Sequence, residues 1–576
     1  MATRHETLRM LAELATLTAL DEGSKQAFRV RAYENALHGI EGYQGELSGL
    51  SKQELVEIKG VGASTADKIL EFHATGSVSK LEALREKYPP AFVELTKIPG
   101  LGPKTLKLLR SELGVEDIDG LRNAIASEQL RELPGLGKAS EEKIGKAIDR
   151  LGLHGKDRRT PLVEALPLAR SLAARISGLE SVETAVPCGS IRRFSETVGD
   201  IDIVVATTDP WQVSEFVLDL AEVAEVIGSG DTKTSFLTRE GLQVDVRTVQ
   251  PAQLGSALLY FTGSKAHNIS LRQRAIDRGW LLSEYGLFEG DVVVASRTEE
   301  EVYQALEMAY VPPPLREGSG EVEAASAYEL PGLVERSQIR GDLHYHSDRS
   351  GDGRSTLEEM IEAALARGYE YVAFTDHGED LAINGSSREV MLEHRDRIRE
   401  LQERYPGIRL LFGCELNIGP HGELDYDADF RLQFEYCVAS IHSHFDLSQD
   451  QQTKRILTAL HDPSVDAIGH LTGRYIGRRP GVDLDIEVVL EALEVTGVAL
   501  EINGALDRLD ASAEVTRRAM SKGVDVVIDT DSHHTSDLVR MDFGVSYAQR
   551  GWVTTDRVVN AKPAGEFMKW VSRRRG

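Results

Sequence analysis

The amino-acid sequence predicts a multidomain chain with an α-helical N-terminal region, an α+β middle region and a C-terminal α/β barrel. Helical periodicity, interrupted by short glycine turns, extends over residues 1–153. Strand-like runs first occur at 201–206 and 242–249. From residue 337 onward, short apolar runs alternate with helical stretches, which favours a barrel. The length of 576 residues leaves room for three to five domains.

The bulk composition is that of an ordinary globular chain. Hydrophobic residues make up 41% and charged residues 27%, and no apolar run is as long as a membrane span. The first residues are typical of a charged amphipathic helix and lack a signal-peptide core. Three cysteines, Cys188, Cys414 and Cys437, are too few for a disulfide framework in a chain of this length. We therefore expect a cytoplasmic protein without a membrane partner.

The net charge of −26 argues against a nucleic-acid partner, because basic surfaces usually drive such binding. The objection weakens if some of the acids bind metal ions and if DNA is held mainly by backbone amides. The histidines are unevenly placed: five of the 16 lie before residue 300 and eleven lie after residue 340. This asymmetry predicts special chemistry in the C-terminal part.

Three similar glycine turns occur in the helical region, at 58–69, 98–109 and 133–144. Each places Gly-apolar-Gly between two helices, so that backbone N–H groups at a helix start can bind a phosphate. A single copy would be as easily an ordinary turn, but three copies resemble helix-hairpin-helix motifs, which hold DNA backbones without reading sequence. We expect a helical DNA-binding domain at 1–80 and a helix-hairpin-helix domain at 81–153. The glycines are Gly60 and Gly62, Gly100 and Gly102, and Gly135 and Gly137.

Two aspartates interrupt the apolar run at 200–205. Asp200 and Asp202 would project from the same face of a strand, where two carboxylates can bind two Mg²⁺ ions for phosphoryl transfer. Asp245, in a second strand-like run, could complete the cluster. For the pair alone, chance in an acidic chain is the better explanation.

The surrounding residues change that interpretation. A Gly-Ser turn, the pair Arg192-Arg193, the three aspartates and "YFTGSKAHN" at 260–268 occur in one order that resembles the family X DNA polymerases, relatives of DNA polymerase beta, over roughly 1–311. The resemblance implies a nucleotidyltransferase palm at 154–250 and a nucleotide-selecting thumb at 251–311. It also implies that Asp200, Asp202 and Asp245 are catalytic and bind two Mg²⁺ or Mn²⁺ ions.

The same resemblance implies roles for residues around the aspartates. Ser190 and Arg193 would contact the triphosphate, and Asn268 would meet the base. The sequence departs from polymerase beta at Lys265, where that protein has an acid, and at Gln243, where it has an arginine. The implied nucleotide-binding residues are Gly189, Ser190, Arg193, Tyr260, Phe261, Gly263 and Asn268, and the implied template contact is Arg272.

A Pro/Gly/Ser/Glu-rich stretch at 312–336 predicts a linker before the barrel. In the barrel, His344 and His346 alternate along one strand, and further histidines and acids follow later strands, where barrel enzymes gather their active sites. The set resembles the PHP (polymerase and histidinol phosphatase) domain over 337–576. The implied ligands for up to three Mn²⁺, Zn²⁺ or Fe²⁺ ions are His344, His346, Asp352, His377, Glu415, His442, His470, Asp531 and His533.

The sequence leaves undecided which aspartate is the first acid of that set, because "SGDG" is one residue longer than the usual pattern. Asp348 is therefore an alternative to Asp352. Three further residues, Asp376, His444 and His534, are candidates for hydrogen bonds that support the ligands. A site of this kind suits phosphoester hydrolysis, and beside a polymerase its natural substrate is a DNA 3′ end.

Lys68 matches the lysine with which polymerase beta attacks a 5′-deoxyribose phosphate. Such a lysine must be partly deprotonated through burial or nearby positive charge. Arg29, Tyr33 and Lys59 could contribute, but Ser64 stands where the relative has lysine. A role in binding a 5′-phosphate is the favoured alternative to lyase chemistry.

The two resemblances together imply a repair polymerase of the base-excision type, which we expect to be a monomer. It would fill short gaps at the primer 3′ end of gapped duplex DNA, use dNTPs as substrates and carry a 3′–5′ exonuclease in its PHP domain. One alternative is a DNA-binding scaffold with relic sites, which the complete ligand sets disfavour. Another is a nucleotidyltransferase joined to a small-molecule phosphatase, which the helix-hairpin-helix repeats and the "YFTGS" motif disfavour.

Overall fold

The computed structural model describes residues 4–24, 26–41, 43, 47, 49–98, 101–150, 159–381 and 384–575. These residues form two compact units. The first contains residues 1–158, and the second contains most of residues 159–576. No helix among the described residues is long and apolar enough to cross a membrane.

The first unit is helical, as the sequence predicts, and its buried leucines and isoleucines form one core. Capping residues fix several helix starts. Ser51 closes a capping box at the third helix, and Pro103 occupies the first turn of the seventh, where a missing N–H costs nothing. The helices are α1 (Arg4–Glu22), α2 (Phe28–Glu41), α3 (Lys52–Glu57), α4 (Ala63–Thr75), α5 (Ser79–Lys87), α6 (Pro90–Glu94), α7 (Pro103–Leu113), α8 (Ile118–Ala126) and α9 (Lys138–Arg150).

The region expected to be the palm, called the palm below, begins the second unit with a five-stranded sheet. Its strands lie in the order β2 (Val182–Pro187), β4 (Asp200–Thr207), β7 (Gln243–Val249), β6 (Lys233–Thr238) and β5 (Val223–Gly230). Strands β4 and β7 are parallel neighbours, and the apolar face of α10 packs with the central strands in the core. The elements are β1 (Thr160–Pro161), α10 (Leu162–Ser177), β2 (Val182–Pro187), α11 (Gly189–Arg192), β3 (Thr197–Val198), β4 (Asp200–Thr207), α12 (Pro210–Leu218), β5 (Val223–Gly230), β6 (Lys233–Thr238) and β7 (Gln243–Val249).

The thumb follows with helices around a small antiparallel sheet. Its core extends through Leu315, Val322 and Ala325, so residues 312–336 contribute to the thumb instead of forming the structureless linker that their composition suggests. Arg316 is fully buried there because it pairs with Glu299 at 2.5 Å. The elements are α13 (Leu254–Thr262), α14 (Lys265–Ile276), β8 (Leu281–Ser283), β9 (Gly286–Glu289), β10 (Val292–Ala295), α15 (Glu299–Ala305) and α16 (Glu321–Ala327).

The C-terminal part is a nearly closed barrel of seven parallel strands in sequence order, β11 to β17. The strands are buried on both faces because helices cover the outside, which explains their continuous apolar runs. The strands are β11 (Gly341–Tyr345), β12 (Tyr371–Phe374), β13 (Arg409–Asn417), β14 (Tyr436–Ser440), β15 (Ala467–Ile468), β16 (Ala499–Asn503) and β17 (Val526–Asp529). The helices are α17 (Leu357–Ala366), α18 (Arg388–Arg404), α19 (Ala428–Arg431), α20 (Gln449–Leu460), α21 (Ile486–Thr496), α22 (Ala513–Lys522), α23 (Arg540–Arg550) and α24 (Ala564–Arg575).

Candidate active sites

Three aspartates lie on two neighbouring strands of the palm. Asp200 and Asp202 are two residues apart on β4, so their side chains leave the same face of the sheet. Asp245 lies on β7 directly opposite Asp202 in the parallel register. The pairing of these two strands therefore brings the third carboxylate to the first two, as the sequence pattern suggests.

The electrostatics of this group favour a bound cation. Burial, followed by the neighbouring carboxylates of Asp200 and Asp245, raises the pKa of Asp202 to about 7. Burial and the charge of Asp245 also raise the pKa of Asp200. Carboxylates that repel one another in a partly buried site are stabilised by a divalent ion, and an all-oxygen donor set suits Mg²⁺ or Mn²⁺.

A lysine that the sequence analysis missed lies against the third aspartate. Lys233 Nζ is 2.6 Å from Asp245 Oδ2, and Gln243 Nε2 donates to Asp245 Oδ1 at 3.0 Å. Although burial would raise it, these hydrogen bonds hold the pKa of Asp245 below its ordinary value. Among the described residues, the groups with three or more ligand atoms within 4.8 Å of one another do not include the palm aspartates.

The turn that precedes the aspartates requires glycine at its start. Gly189 has φ +61°, and a Cβ there would lie 2.8 Å from Asp202 Oδ2. Of the two arginines that follow, Arg192 is committed to the ion pair with Glu299 at 2.7 Å. Arg193 donates from Nε to Glu317 at 2.8 Å and from Nη1 to a backbone carbonyl. These contacts use two of its five N–H donors, which leaves others for an anion.

The thumb residues implied by the resemblance lie together. The rings of Tyr260 and Phe261 meet edge to face with centroids 5.0 Å apart, and the Arg272 guanidinium lies 5.1 Å from the Tyr260 ring. Asn268 Nδ2 donates to the Tyr260 carbonyl at 2.8 Å. Tyr260, Asn268 and Arg272 line one cavity. Gly263, at φ +66°, makes the turn between α13 and α14.

The glycine turns of the first unit stand at helix starts. Gly62 and Gly102 precede α4 and α7 without a side-chain cap, so the first-turn amides remain available to a phosphate. Gly60 has φ +92°, and a Cβ there would lie 2.3 Å from a backbone oxygen. In the third turn Gly135 has φ +84°, and Gly137 directly precedes α9. Gly100 lies outside the described residues.

Lys68 lies on α4, near the first glycine turn. Its ammonium donates to the hydroxyl of Ser64 at 3.0 Å and lies 5.7 Å from the centroid of the Tyr33 ring. Arg29, which the sequence offers as a supporting cation, pairs with Glu22 at 2.9 Å. The lyase role of Lys68 stays a hypothesis.

Nine histidines and acids meet at the ends of the barrel strands. They form four overlapping groups, and within each group the ligand atoms lie within 4.8 Å of one another. The groups contain His344, His346, Asp352, His377, Glu415, His442, His470, Asp531 and His533. Every ligand implied by the resemblance is therefore in the cluster. Asp352 belongs to it and Asp348 does not.

Glu415 lies at the centre of this cluster. Its carboxylate is 2.9 Å from His377 Nδ1 and 3.0 Å from His470 Nε2, and the other imidazoles near it follow at up to 3.5 Å. Burial would raise the pKa of Glu415, but the surrounding imidazolium charges hold it well below its ordinary value. Its neighbours within that distance are His344, His346, His377, His442 and His470.

The histidines titrate differently because their neighbours differ. Burial would lower the pKa of His377, but the carboxylates of Glu415 and Asp352 raise it to about 10. Burial and the charges of two other histidines lower the pKa of His346 to about 4. His346 is therefore neutral near pH 7, the form of imidazole that binds a metal, whereas His377 must lose a proton before it binds one.

Unsatisfied buried atoms support a metal site in the barrel. His344 Nε2 and His346 Nε2 are buried without a hydrogen-bond partner. Such atoms are costly in a folded protein unless a ligand or an ion meets them. The other nitrogen of His344 lies 2.5 Å from Glu501, which fixes the ring with Nε2 as the ligand atom. The donor set of imidazole and carboxylate fits Mn²⁺, Zn²⁺ or Fe²⁺.

Asp376 and His534, which the sequence offers as support for the ligands, each hydrogen-bond a serine. Asp376 accepts from the backbone N–H of Ser347 at 2.7 Å, which holds the loop after β11. The imidazole Nδ1 of His534 is hydrogen-bonded to the hydroxyl of Ser536 at 2.8 Å. The missed residues include Glu501 and Asn417, which accepts from His442 Nδ1 at 2.6 Å. Polar residues inside an apolar strand were the signal that could have identified them.

Four family models match the chain. A helix-hairpin-helix domain matches residues 2–78, and a SAM-like helix-hairpin-helix tandem matches 92–150. The DNA polymerase beta thumb matches 257–317, and the PHP domain matches 342–505. Over its whole length the chain is similar to the DNA polymerase/3′-5′ exonuclease PolX of Bacillus subtilis (strain 168), with 37% identity over 575 residues and 99% of each chain covered.

The chain belongs to the family X DNA polymerases that carry a PHP domain. Partial matches also occur with smaller proteins. A probable phosphatase of Thermoanaerobacter sp. (strain X514) is 29% identical over 38% of this chain and 89% of its own length. A probable phosphatase of Acetivibrio thermocellus is 31% identical over 35% of this chain and 82% of its own length. The full-length match carries more weight, because it includes both the polymerase part and the PHP domain.

Proposed function

We propose that this family X polymerase fills short gaps in duplex DNA, as in base excision repair, and removes nucleotides from DNA 3′ ends. The palm and thumb would perform the first reaction and the barrel the second. The observation that carries the proposal is similarity over 99% of the chain to the Bacillus subtilis polymerase/exonuclease. The aspartate register and the histidine cluster support it residue by residue.

In the polymerase reaction, Asp200, Asp202 and Asp245 would hold two divalent ions, Mg²⁺ or Mn²⁺. These ions would lower the pKa of the primer 3′-hydroxyl and neutralise the triphosphate. Asp245 is assigned to the ion on the primer side. Arg193 is assigned to the triphosphate, because its contacts with Glu317 and with a backbone carbonyl use only two of its five N–H donors.

Other residues would select the nucleotide and hold the template. The edge-to-face pair Tyr260 and Phe261, with the Gly263 turn beside it, would lie against the sugar and exclude a 2′-hydroxyl. Asn268 and Arg272, which line the same cavity as Tyr260, are assigned to the base and the template strand. Ser190, at the start of the turn that begins with Gly189, is assigned to the phosphates.

In the nuclease reaction, the nine barrel ligands would hold up to three ions of Mn²⁺, Zn²⁺ or Fe²⁺. These ions would activate water and stabilise the charge on the phosphodiester. Glu415 keeps the imidazoles in place, since it lies within 3.5 Å of five of them. Arg508, 3.5 Å from Asp531, adds positive charge at the rim. A DNA 3′ end is the proposed substrate.

The first unit would hold DNA through backbone amides, which reconciles DNA binding with a net charge of −26. The uncapped helix start after Gly62 is the proposed seat of the 5′-phosphate at the far side of a gap. Lys68 would act there mainly as a phosphate contact, and lyase chemistry is the weaker hypothesis. We also propose that the protein acts in the cytoplasm, where buried free thiols such as its three cysteines stay reduced, and that it is a monomer.

The test is incubation of the purified protein with dNTPs, Mg²⁺ or Mn²⁺ and a duplex containing a one-nucleotide gap. The proposal expects extension at the 3′ end, faster when the gap carries a 5′-phosphate, and digestion from the 3′ end when dNTPs are absent. A scaffold would bind the duplex without either reaction. Release of phosphate from small phosphomonoesters, without digestion of DNA, would support the phosphatase alternative instead.

A further inference from the structure

The barrel makes direct contact with the segment of the palm that joins the phosphate-binding turn to the metal-binding strand. This segment, residues 193–196, lies between Ser190 and Asp200. Phe194 has φ +57°, and its ring lies 6.1 Å from the ring of Phe543 on α23. Because palm and barrel share one apolar core, the contact is part of the folded unit.

An ion pair fixes the end of this segment. Both carboxylate oxygens of Glu196 accept from Arg474 of the barrel, at 2.9 and 3.2 Å, and the Tyr547 hydroxyl donates to the same carboxylate. Burial would raise the pKa of Glu196, but Arg474 and Tyr547 hold it below its ordinary value. A bidentate pair of this kind restricts both partners to one geometry.

A second barrel residue reaches the start of the segment. Arg550, at the end of α23, donates to the backbone carbonyl of Arg193 at 3.0 Å. It also donates to Glu317, whose Oε1 accepts from Arg193 Nε at 2.8 Å. All three side chains are less than a third exposed, so water screens these interactions only in part.

The net charge of Arg193, Glu317 and Arg550 affects nucleotide binding. Two guanidinium groups share one carboxylate, so one positive charge is left over beside the turn that would hold the triphosphate. Without Arg550, Glu317 would pair with Arg193 alone and neutralise it. The backbone of Arg193 would also lose the hydrogen bond that sets its position.

We propose that Arg550, a residue of the nuclease domain, is a positioning residue for nucleotide binding by the polymerase. It holds Glu317 and the Arg193 backbone so that the Arg193 guanidinium meets the triphosphate. This inference rests on the proposed role of Arg193 as a triphosphate contact. The polymerase site is therefore completed by the barrel, although the barrel has its own reaction.

The experiment uses full-length protein and single-nucleotide gap filling, with KM for dNTP and kcat measured separately. Arg550→Met should raise KM about tenfold, the scale of one charge-assisted hydrogen bond, and change kcat much less. Arg550→Lys should restore part of the loss. Arg518→Met is the matched control, because Arg518 pairs with Glu487 within the barrel surface. Digestion from the 3′ end should be unchanged in all three variants.

A double-mutant cycle separates this role from general destabilisation. Glu317→Gln removes the charge that would neutralise Arg193, so Arg550→Met should raise KM less in that background than in the wild type. An equal effect of Arg550→Met in both backgrounds would overturn the inference. If Arg550→Met does not fold, Arg550→Lys carries the same cycle with a smaller expected change.

Arg193→Met tests whether Arg193 contacts the triphosphate, which is the assignment on which the role of Arg550 rests. A rise in KM for Arg193→Met but not for Arg550→Met would overturn the positioning role alone. An unchanged KM for Arg193→Met would overturn both the triphosphate assignment and the inference. A rise in both, with Arg518→Met unaffected, supports the proposal.

Discussion

The affinity of the polymerase site for Mg²⁺ should depend steeply on pH, because a proton competes with the metal for Asp202. Its pKa is raised to about 7 by burial and by the carboxylates of Asp200 and Asp245. The unliganded carboxyl is therefore about nine-tenths ionised at pH 8 and about one-tenth ionised at pH 6. Metal ligands must be deprotonated, so the apparent affinity should fall about tenfold between these values.

The assay is single-nucleotide gap filling at saturating dNTP, with the KM for Mg²⁺ measured at half-unit steps from pH 6 to pH 8. Because the pKa of Asp202 is raised to about 7, its carboxyl gains a proton as the pH falls through about 7, and Mg²⁺ then binds more weakly. Lys233 lowers the pKa of Asp202, so Lys233→Met should move the fall to higher pH. Arg239→Met, on the exposed hairpin after β6, is the control and should not move it. A KM for Mg²⁺ that changes less than twofold over this range would show that no proton competes with the metal at Asp202.

Asp245, the histidine cluster of the barrel and Lys68 can each be tested separately. Asp245→Ala should abolish nucleotide addition. The affinity for gapped duplex, measured by fluorescence anisotropy, should stay within about threefold of the wild-type value, since DNA is held elsewhere. Extension near the wild-type rate would show that Asp245 is not a metal ligand. Metal loading of the barrel should release protons at pH 8, because His377, with a pKa of about 10, is protonated before it binds. Titration calorimetry of Mn²⁺ in buffers of different ionisation enthalpy measures this, and a buffer-independent heat would contradict it. If the lyase hypothesis holds, borohydride should trap a covalent adduct with an incised abasic site, and Lys68→Ala should remove it; an unchanged yield would place the nucleophile elsewhere.

The cluster of histidines and acids in the barrel was predictable because parallel strands end at one rim. A residue pattern at successive strand ends therefore specifies neighbours in space. Asp245 was predictable for a related reason: two strands with aspartates at similar positions pair in register. The helical first unit followed from periodicity and glycine turns.

Other features depend on contacts that no local pattern reveals. Lys233 reaches Asp245 because β6 pairs with β7, and a lysine at a strand start is indistinguishable from a solvated one in sequence. Residues 312–336 have the composition of a linker, but Arg316 is held inside the thumb by the distant Glu299. The contact between Arg550 and the palm spans 357 positions and joins two domains that the sequence presents as separate.

In the proposed function, two separate metal sites act in opposite directions on the same DNA end. The most direct test is degradation and extension of primers labelled at the 3′ or the 5′ end, with and without dNTPs, by the wild type and by His344→Ala with His346→Ala. These histidines lie on β11 and directly after it, whereas the contacts with the palm come from Arg474 and α23. We predict that the double variant loses 3′–5′ digestion in Mn²⁺ and extends gapped duplex at the wild-type rate. Undiminished digestion by the folded double variant, verified by its thermal unfolding, would contradict the assignment of the nuclease to the barrel.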